Sequence, residues 1–223
     1  MNRLRSNWLL VLTHIGALLP LVLLIWDFSQ HQLSVNPIQE VTLRTGKSAL
    51  VLLVLSLACT PLNTIFRFRP ALRARRWLGL YAFMYVALHL LIFVGLDYGF
   101  DLDLLREAIF EKRYALVGFA AFLILLPLAV TSTKGWMKRL GRQWKRLHRA
   151  VYLAALLAVV HFVWLVKSDI REPLVYGAVV VVLLALRISA IRKAASRARG
   201  WLRDSIFRKV SDAHSGAHSG AEI

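Results

Sequence analysis

Cysteine is nearly missing from this 223-residue chain, where Cys59 stands alone. One thiol excludes an internal disulfide, a cysteine-ligated iron–sulfur cluster and the C-x-x-C-H attachment of a c-type haem. It leaves Cys59 to be read as a small core residue. Acidic residues are scarce as well, 12 against 29 lysines and arginines, for a formal net charge of +17. A phosphate-binding loop is absent too. Gly46-Lys47-Ser48 lacks the glycine five positions earlier, where Val41 stands, and has no preceding strand, so TLRTGKSAL reads as a helix start at a membrane edge. Nor is there a hydrophilic stretch long enough for a second globular domain.

What the chain has in abundance is apolar length. Hydrophobic residues make up 58% of it, and its mean hydropathy is +0.57, which places it in a bilayer. About 20 apolar residues cross a hydrocarbon core, and six stretches of that order can be marked: 8–26, 47–66, 77–96, 114–133, 148–166 and 173–190. The prediction is an all-α integral membrane bundle of six helices. It comprises a short N-terminus (1–7), a six-span domain (8–192) and a basic, partly disordered tail (193–223). The first span follows Arg3 and Arg5 but is too long for a signal-peptide core and has no A-x-A-like cleavage site, so it reads as a retained helix.

The positive charge is distributed by loop and not along a soluble face, which argues against nucleic acid and for membrane lipid as its partner. Arg67, Arg69, Arg73, Arg75 and Arg76 occupy one connection. Lys134, Lys138, Arg139, Arg142, Lys145 and Arg146 occupy another, and the C-terminal tail is basic again. Loop 97–113 instead carries Asp97, Asp101, Asp103, Glu107 and Glu111. Positive residues near span ends stay on the cytoplasmic side, which puts both termini in the cytoplasm and makes the acidic loop an outward-facing candidate docking edge. Trp136 and Trp144 in loop 134–147 read as headgroup anchors, and Arg187 near the end of span six as a snorkelling side chain. His214 and His218, in the repeated tetrapeptide AHSG, read as part of a Gly/Ser-rich tail.

Four histidines fall within the spans: His14, His89, His148 and His161. A titratable ring in hydrocarbon is costly to desolvate. His89 lies twelve residues beyond Trp77 and His161 thirteen beyond His148, about 18 and 20 Å along outward-running helices at 1.5 Å per residue. Two neutral imidazoles at one depth, with Leu88, Leu91, Phe93, Ala158, Val160 and Phe162 nearby, suit axial ligation of a b-type haem. They also suit two core histidines bonded to carbonyls, and periodicity alone leaves both readings open.

The six-span order and a set of segments carry a family resemblance. LHLLIF surrounds His89, TSTKGWMKRLGRQWKRLHRAVYL surrounds His148, and VVHFVWLVK surrounds His161; RTGKSAL, CTPL, RRWLGLYAF and PLVYGAVVVVLLALR complete the set. From about Trp8 to Arg192 the chain resembles the ferric-reductase-like transmembrane family, which also contains the membrane part of NADPH oxidases. Within it, the likeness is to the haem-binding membrane subunits of bacterial protein-methionine-sulfoxide reductase systems. The resemblance implies an electron-transfer subunit of the bacterial inner membrane rather than a catalytic subunit, with haem b and FMN as cofactors. Its electrons would come from the quinone pool or a cytosolic flavin reductase and pass to a periplasmic molybdenum-containing methionine-sulfoxide reductase. By position, the haem-ligand histidines are His89, His148 and His161.

The wider superfamily places two histidines on each of two helices, thirteen or fourteen apart. Here, counting back from His89 reaches Arg76 or Arg75, so span three lacks its inner histidine. His148 then needs another partner, for which His14 is a candidate. On a straight helix the thirteen-residue interval also turns His148 by about 140° from His161. The stretch after span six is too short for a fused FAD/NADPH domain. Two other readings stand beside the first: a free-standing ferric-reductase-like or quinone-linked cytochrome b, and a non-redox transporter or assembly subunit using its histidines for packing or proton relay.

Overall fold

A computed structural model describes residues 4–166 and 169–187, with the side chains of 4–7 excepted. Every regular element among them is helical. The expected tail, 193–223, and its His214 and His218 lie outside the described residues.

Helix α1 (Leu4–Ser29) is apolar on all sides. Val11, Leu12, Ile15, Val22, Ile25 and Trp26 are each more than half exposed, which a lipid-facing helix requires. Helix α2 (Pro37–Phe66) begins where Asn36 accepts the Gln39 N–H through its side chain and Pro37 supplies a pre-set first turn. It ends at Arg67 in the left-handed conformation, φ 55°. Helix α3 (Pro70–Ile92) runs on through a π-helical turn, Phe93–Asp97. The short α4 (Leu102–Glu111) is capped by Asp101, whose carboxylate takes the Asp103 and Leu104 N–H groups.

Helix α5 (Arg113–Val130) leads into α6 (Lys134–Leu140) and α7 (Arg142–Leu147), parted by Gly141 at φ 49°. A 3₁₀ turn over His148–Ala150 then opens α8 (Val151–Leu165), and α9 spans Arg171–Ala185.

Five helical segments are long and apolar enough to cross a membrane: Trp8–Ser29, Pro37–Phe66, Pro70–Asp97, Arg113–Val130 and Arg142–Leu165. The sixth expected span, 173–190, corresponds to α9, described over 15 residues; its last three positions lie outside the described residues. The span boundaries also move. Residue 47 was the expected start of the second span, yet α2 begins ten residues earlier, so RTGKSAL lies inside a helix and not at its start. The connection 97–113 holds α4, and 134–147 holds α6 and α7.

Two antiparallel pairs, α2 with α3 and α5 with α8, make the most extensive packing; α1 lies on α3, and α9 on α8 and α2. Small residues let these helices approach. Ala154, Ala155 and Val180 are fully buried, and Ala17, Ala82, Leu57 and Tyr85 nearly so. Tyr85 ties α3 to α1 by donating its hydroxyl to the Ala17 carbonyl at 2.8 Å. Between the two pairs, Phe83 of α3 and Phe122 of α5 stack with ring centroids 6.0 Å apart.

At the acidic end, ion pairs close the bundle. Arg44 bridges Asp27 and Glu40, and Lys47 meets Glu172. These pairs neutralise the charges in the first turns of α2.

Candidate metal centre

His89 on α3 and His161 on α8 come together toward the acidic end of the bundle, with ring centroids 6.1 Å apart and planes at 89°. Each ring is anchored by a backbone carbonyl of its own helix pair. His89 Nδ1 lies 2.9 Å from the Thr42 carbonyl, and His161 Nδ1 lies 2.7 Å from the Tyr114 carbonyl. A carbonyl only accepts, so both Nδ1 atoms carry the proton and both Nε2 atoms keep a free lone pair. That is the arrangement in which a metal-binding histidine has its tautomer fixed by an outer partner.

A glycine makes each contact accessible. A Cβ on Gly46 would lie 3.1 Å from the His89 ring, and one on Gly118 would lie 2.6 Å from His161 Nδ1. The two halves share one spacing. Each anchoring carbonyl stands 47 residues before its histidine, and each glycine stands one helical turn beyond that carbonyl.

The arrangement fits an iron held between two imidazoles. Two rings with free Nε2 lone pairs, 6.1 Å apart, are the donor set such an iron would take. Among the described residues no group of three or more His, Cys, Asp or Glu side chains gathers at metal distance. At this site the described residues offer two imidazole nitrogens, the number that a macrocycle bringing its own other donors would take. Of the expected wall residues, Leu91 and Val160 face away: they are 56% and 37% exposed, because their helices turn them outward.

His148 is held differently. Its Nε2 lies 3.2 Å from Thr131 Oγ1, and its ring stacks on Trp144 at 4.0 Å. The Thr131 hydroxyl donates to the Pro127 carbonyl at 2.6 Å, so it accepts the proton of His148 Nε2. Trp144 Nε1 donates to the Thr131 carbonyl, which locks the stack. In this state the occupied nitrogen is Nε2, the reverse of His89 and His161. His14 pairs with Tyr81 Oη at 2.8 Å, its ring edge-on to Trp77 at 4.8 Å. His14 and His148 thus belong to separate side-chain groups.

Arg187 departs from its expected snorkelling position. It turns inward to donate to Tyr152 Oη at 2.5 Å and to the Leu57 carbonyl at 2.7 Å. Sequence reasoning also missed the roles of Thr42, Tyr114, Gly46 and Gly118. The one signal for them was the repeated interval from glycine to histidine across the two helix pairs.

Comparison with known proteins bears on this geometry. Residues 45–159 match the family model described as ferric reductase like transmembrane component. That stretch contains Gly46, His89, Gly118 and His148, and ends two residues before His161. The chain is 48% identical over 184 residues to a protein of Xanthomonas axonopodis pv. citri named protein-methionine-sulfoxide reductase heme-binding subunit MsrQ, covering 79% of this chain and 84% of that one. A protein of the same name from Xanthomonas euvesicatoria pv. vesicatoria is 47% identical, covering 83% and 90%. One from Caulobacter vibrioides is 42% identical, covering 88% and 94%. No solved structure matches.

Proposed function

From its membership of the ferric-reductase-like transmembrane family, to whose MsrQ branch this chain belongs, we propose that it is the haem-binding membrane subunit of a protein-methionine-sulfoxide reductase system. The observation that carries this reading is the pair of imidazoles 6.1 Å apart, each with Nδ1 committed to a carbonyl.

In this reading His89 and His161 would hold the haem iron, each offering Nε2. A haem b bound between them would supply one-electron exchange between ferrous and ferric iron, at a potential tuned by its ligands, their hydrogen bonds and burial. Thr42 and Tyr114 hold the rings in the ligating tautomer and strengthen them as donors. Gly46 and Gly118 keep open the space that the rings need against the partner helices. His148 is the candidate ligand on the basic side, where engaging a metal through Nε2 requires release from Thr131.

The route is from the cytoplasmic side outward. Six spans with both termini in the cytoplasm of a bacterial inner membrane place the basic connections inside and α4 outside. The electrons come from the quinone pool or a cytosolic flavin reductase, with FMN associated on the inner side near the basic segment 134–147. The recipient is a periplasmic molybdenum-containing methionine-sulfoxide reductase, and the acidic loop 97–113 is its docking edge.

Redox difference spectra of purified wild type beside His89→Ala, His148→Ala and His161→Ala test the ligand assignment. Loss of the low-spin bis-imidazole bands in both His89→Ala and His161→Ala is expected. A low-spin spectrum that survives either substitution overturns it.

A further inference from the structure

At the basic end of the bundle, two guanidinium groups lie within electrostatic range of each other, and neither is paired with a carboxylate among the described residues. Arg187, just beyond α9, spends Nη1 on Tyr152 Oη and Nη2 on the Leu57 carbonyl, and its carbon lies 4.8 Å over the Tyr152 ring. Its Nε is buried and has no partner among the described residues. Arg75 of α3 is close enough for the two charges to repel, with Tyr152 and Cys59 as its other electrostatic neighbours. Its side chain makes no hydrogen bond to a described residue. His148 lies in the field of Arg75. On α2, the Thr60 hydroxyl is also buried and has no partner among the described residues, and it stands one turn from Leu57, on the same face.

This contrasts with the acidic end, where Arg44 has Asp27 and Glu40, and Lys47 has Glu172. A charge inside a bilayer protein is retained where it is paired or where it meets a ligand. Two like charges within electrostatic range of each other, plus two buried polar atoms without partners among the described residues, constitute an uncompensated site.

We infer that Arg75, Arg187, Tyr152 and Thr60 form a seat for an oxyanion carried by a membrane-embedded amphiphile. The guanidinium fork is suited to the paired oxygens of a carboxylate or phosphate, and the Thr60 hydroxyl offers a further donor. Two sources carry that chemistry. One is the phosphate of an acidic phospholipid entering from the leaflet at the basic end. The other is a carboxylate side arm of a haem held on the His148 side, and only this source rests on the function proposed above.

Native mass spectrometry of the full chain, expressed with ample haem and transferred to bilayer discs of phosphatidylglycerol and phosphatidylcholine, tests the seat. The wild type is expected to retain either phosphatidylglycerol over phosphatidylcholine, or more haem than the His89–His161 site alone binds. Arg75→Gln and Arg187→Gln are expected to weaken that retention about tenfold, the scale of a charged hydrogen bond. Arg187→Lys is expected to weaken it less, since it keeps the charge. Bound haem on the His89–His161 pair serves as the folding check for each variant.

Loss of phosphatidylglycerol selectivity identifies the lipid source, and loss of the extra haem identifies the carboxylate source. A wild type that shows neither overturns the proposal, whatever the variants do, and so does retention unchanged in both glutamine variants. A protein without any haem that still selects phosphatidylglycerol through Arg187 supports the seat and sinks the haem reading.

Discussion

Gly118 lies so close under the imidazole of His161 that a Cβ there would fall 2.6 Å from Nδ1. In an ordinary helix interior, Gly→Ala gains up to about 1 kcal/mol from backbone propensity. Here the sign reverses. Gly118→Ala is expected to cost about 1–3 kcal/mol by overpacking and to remove the haem band proposed above for the His89–His161 pair. Gly46→Ala, with its nearest ring atoms at 3.1 Å, should cost less. Thermal unfolding and haem absorbance in one detergent measure both, and a stabilised, haem-replete Gly118→Ala would refute the ring position.

Thr131→Val removes the oxygen that takes the His148 Nε2 proton while keeping the side chain's shape. The expected cost is about 1 kcal/mol, that of a partly buried hydrogen bond, with the His89–His161 spectrum unchanged. A shift in that spectrum would show that the two histidine groups are coupled.

Tyr85 is buried and holds the Ala17 carbonyl, so Tyr85→Phe should destabilise the attachment of α1 by about 1 kcal/mol. Unfolding curves for this variant, and protease accessibility of α1, check it. Ala155→Leu, at a fully buried position of α8, should cost more, about 1–3 kcal/mol, because no space is available.

The two ion-pair groups at the acidic end should differ in salt response. Lys47 and Glu172 are each about half exposed (52% and 48%), so their double-mutant coupling is expected below about 1 kcal/mol and to fade with salt. Arg44, with two carboxylates less exposed than itself, should lose more on substitution to Ala. Equal costs for Lys47→Ala and Arg44→Ala would contradict this.

The apolar runs made the membrane class legible, and depth counting paired His89 with His161, which the folded chain brings within ring contact. The start of α2 was not legible. Glu40, Arg44 and Lys47 read as polar loop until Asp27 of α1, Glu172 of α9 and the Glu40–Arg44 pair within α2 itself are seen. The Thr42 and Tyr114 anchors had no residue-type signal, because any residue supplies a backbone carbonyl; only the repeated interval marked them. Gly46 was weighed only as part of a phosphate loop, although its use is to leave room for an imidazole. Arg187 stands at the end of an apolar run, where snorkelling is the usual outcome, and the position of Tyr152 one helix away reverses it.

The matching carbonyl contacts tie each imidazole to the neighbouring helix of its own pair, so each pair carries its ring as one rigid unit. The gap between the rings is therefore governed by where the pairs meet, α3 on α5 and α2 on α8, and Phe83 and Phe122 lie stacked at the first of these contacts. Those two aromatic rings act as a spacer. Changing their thickness retunes the distance between the histidines without touching either histidine or its proton.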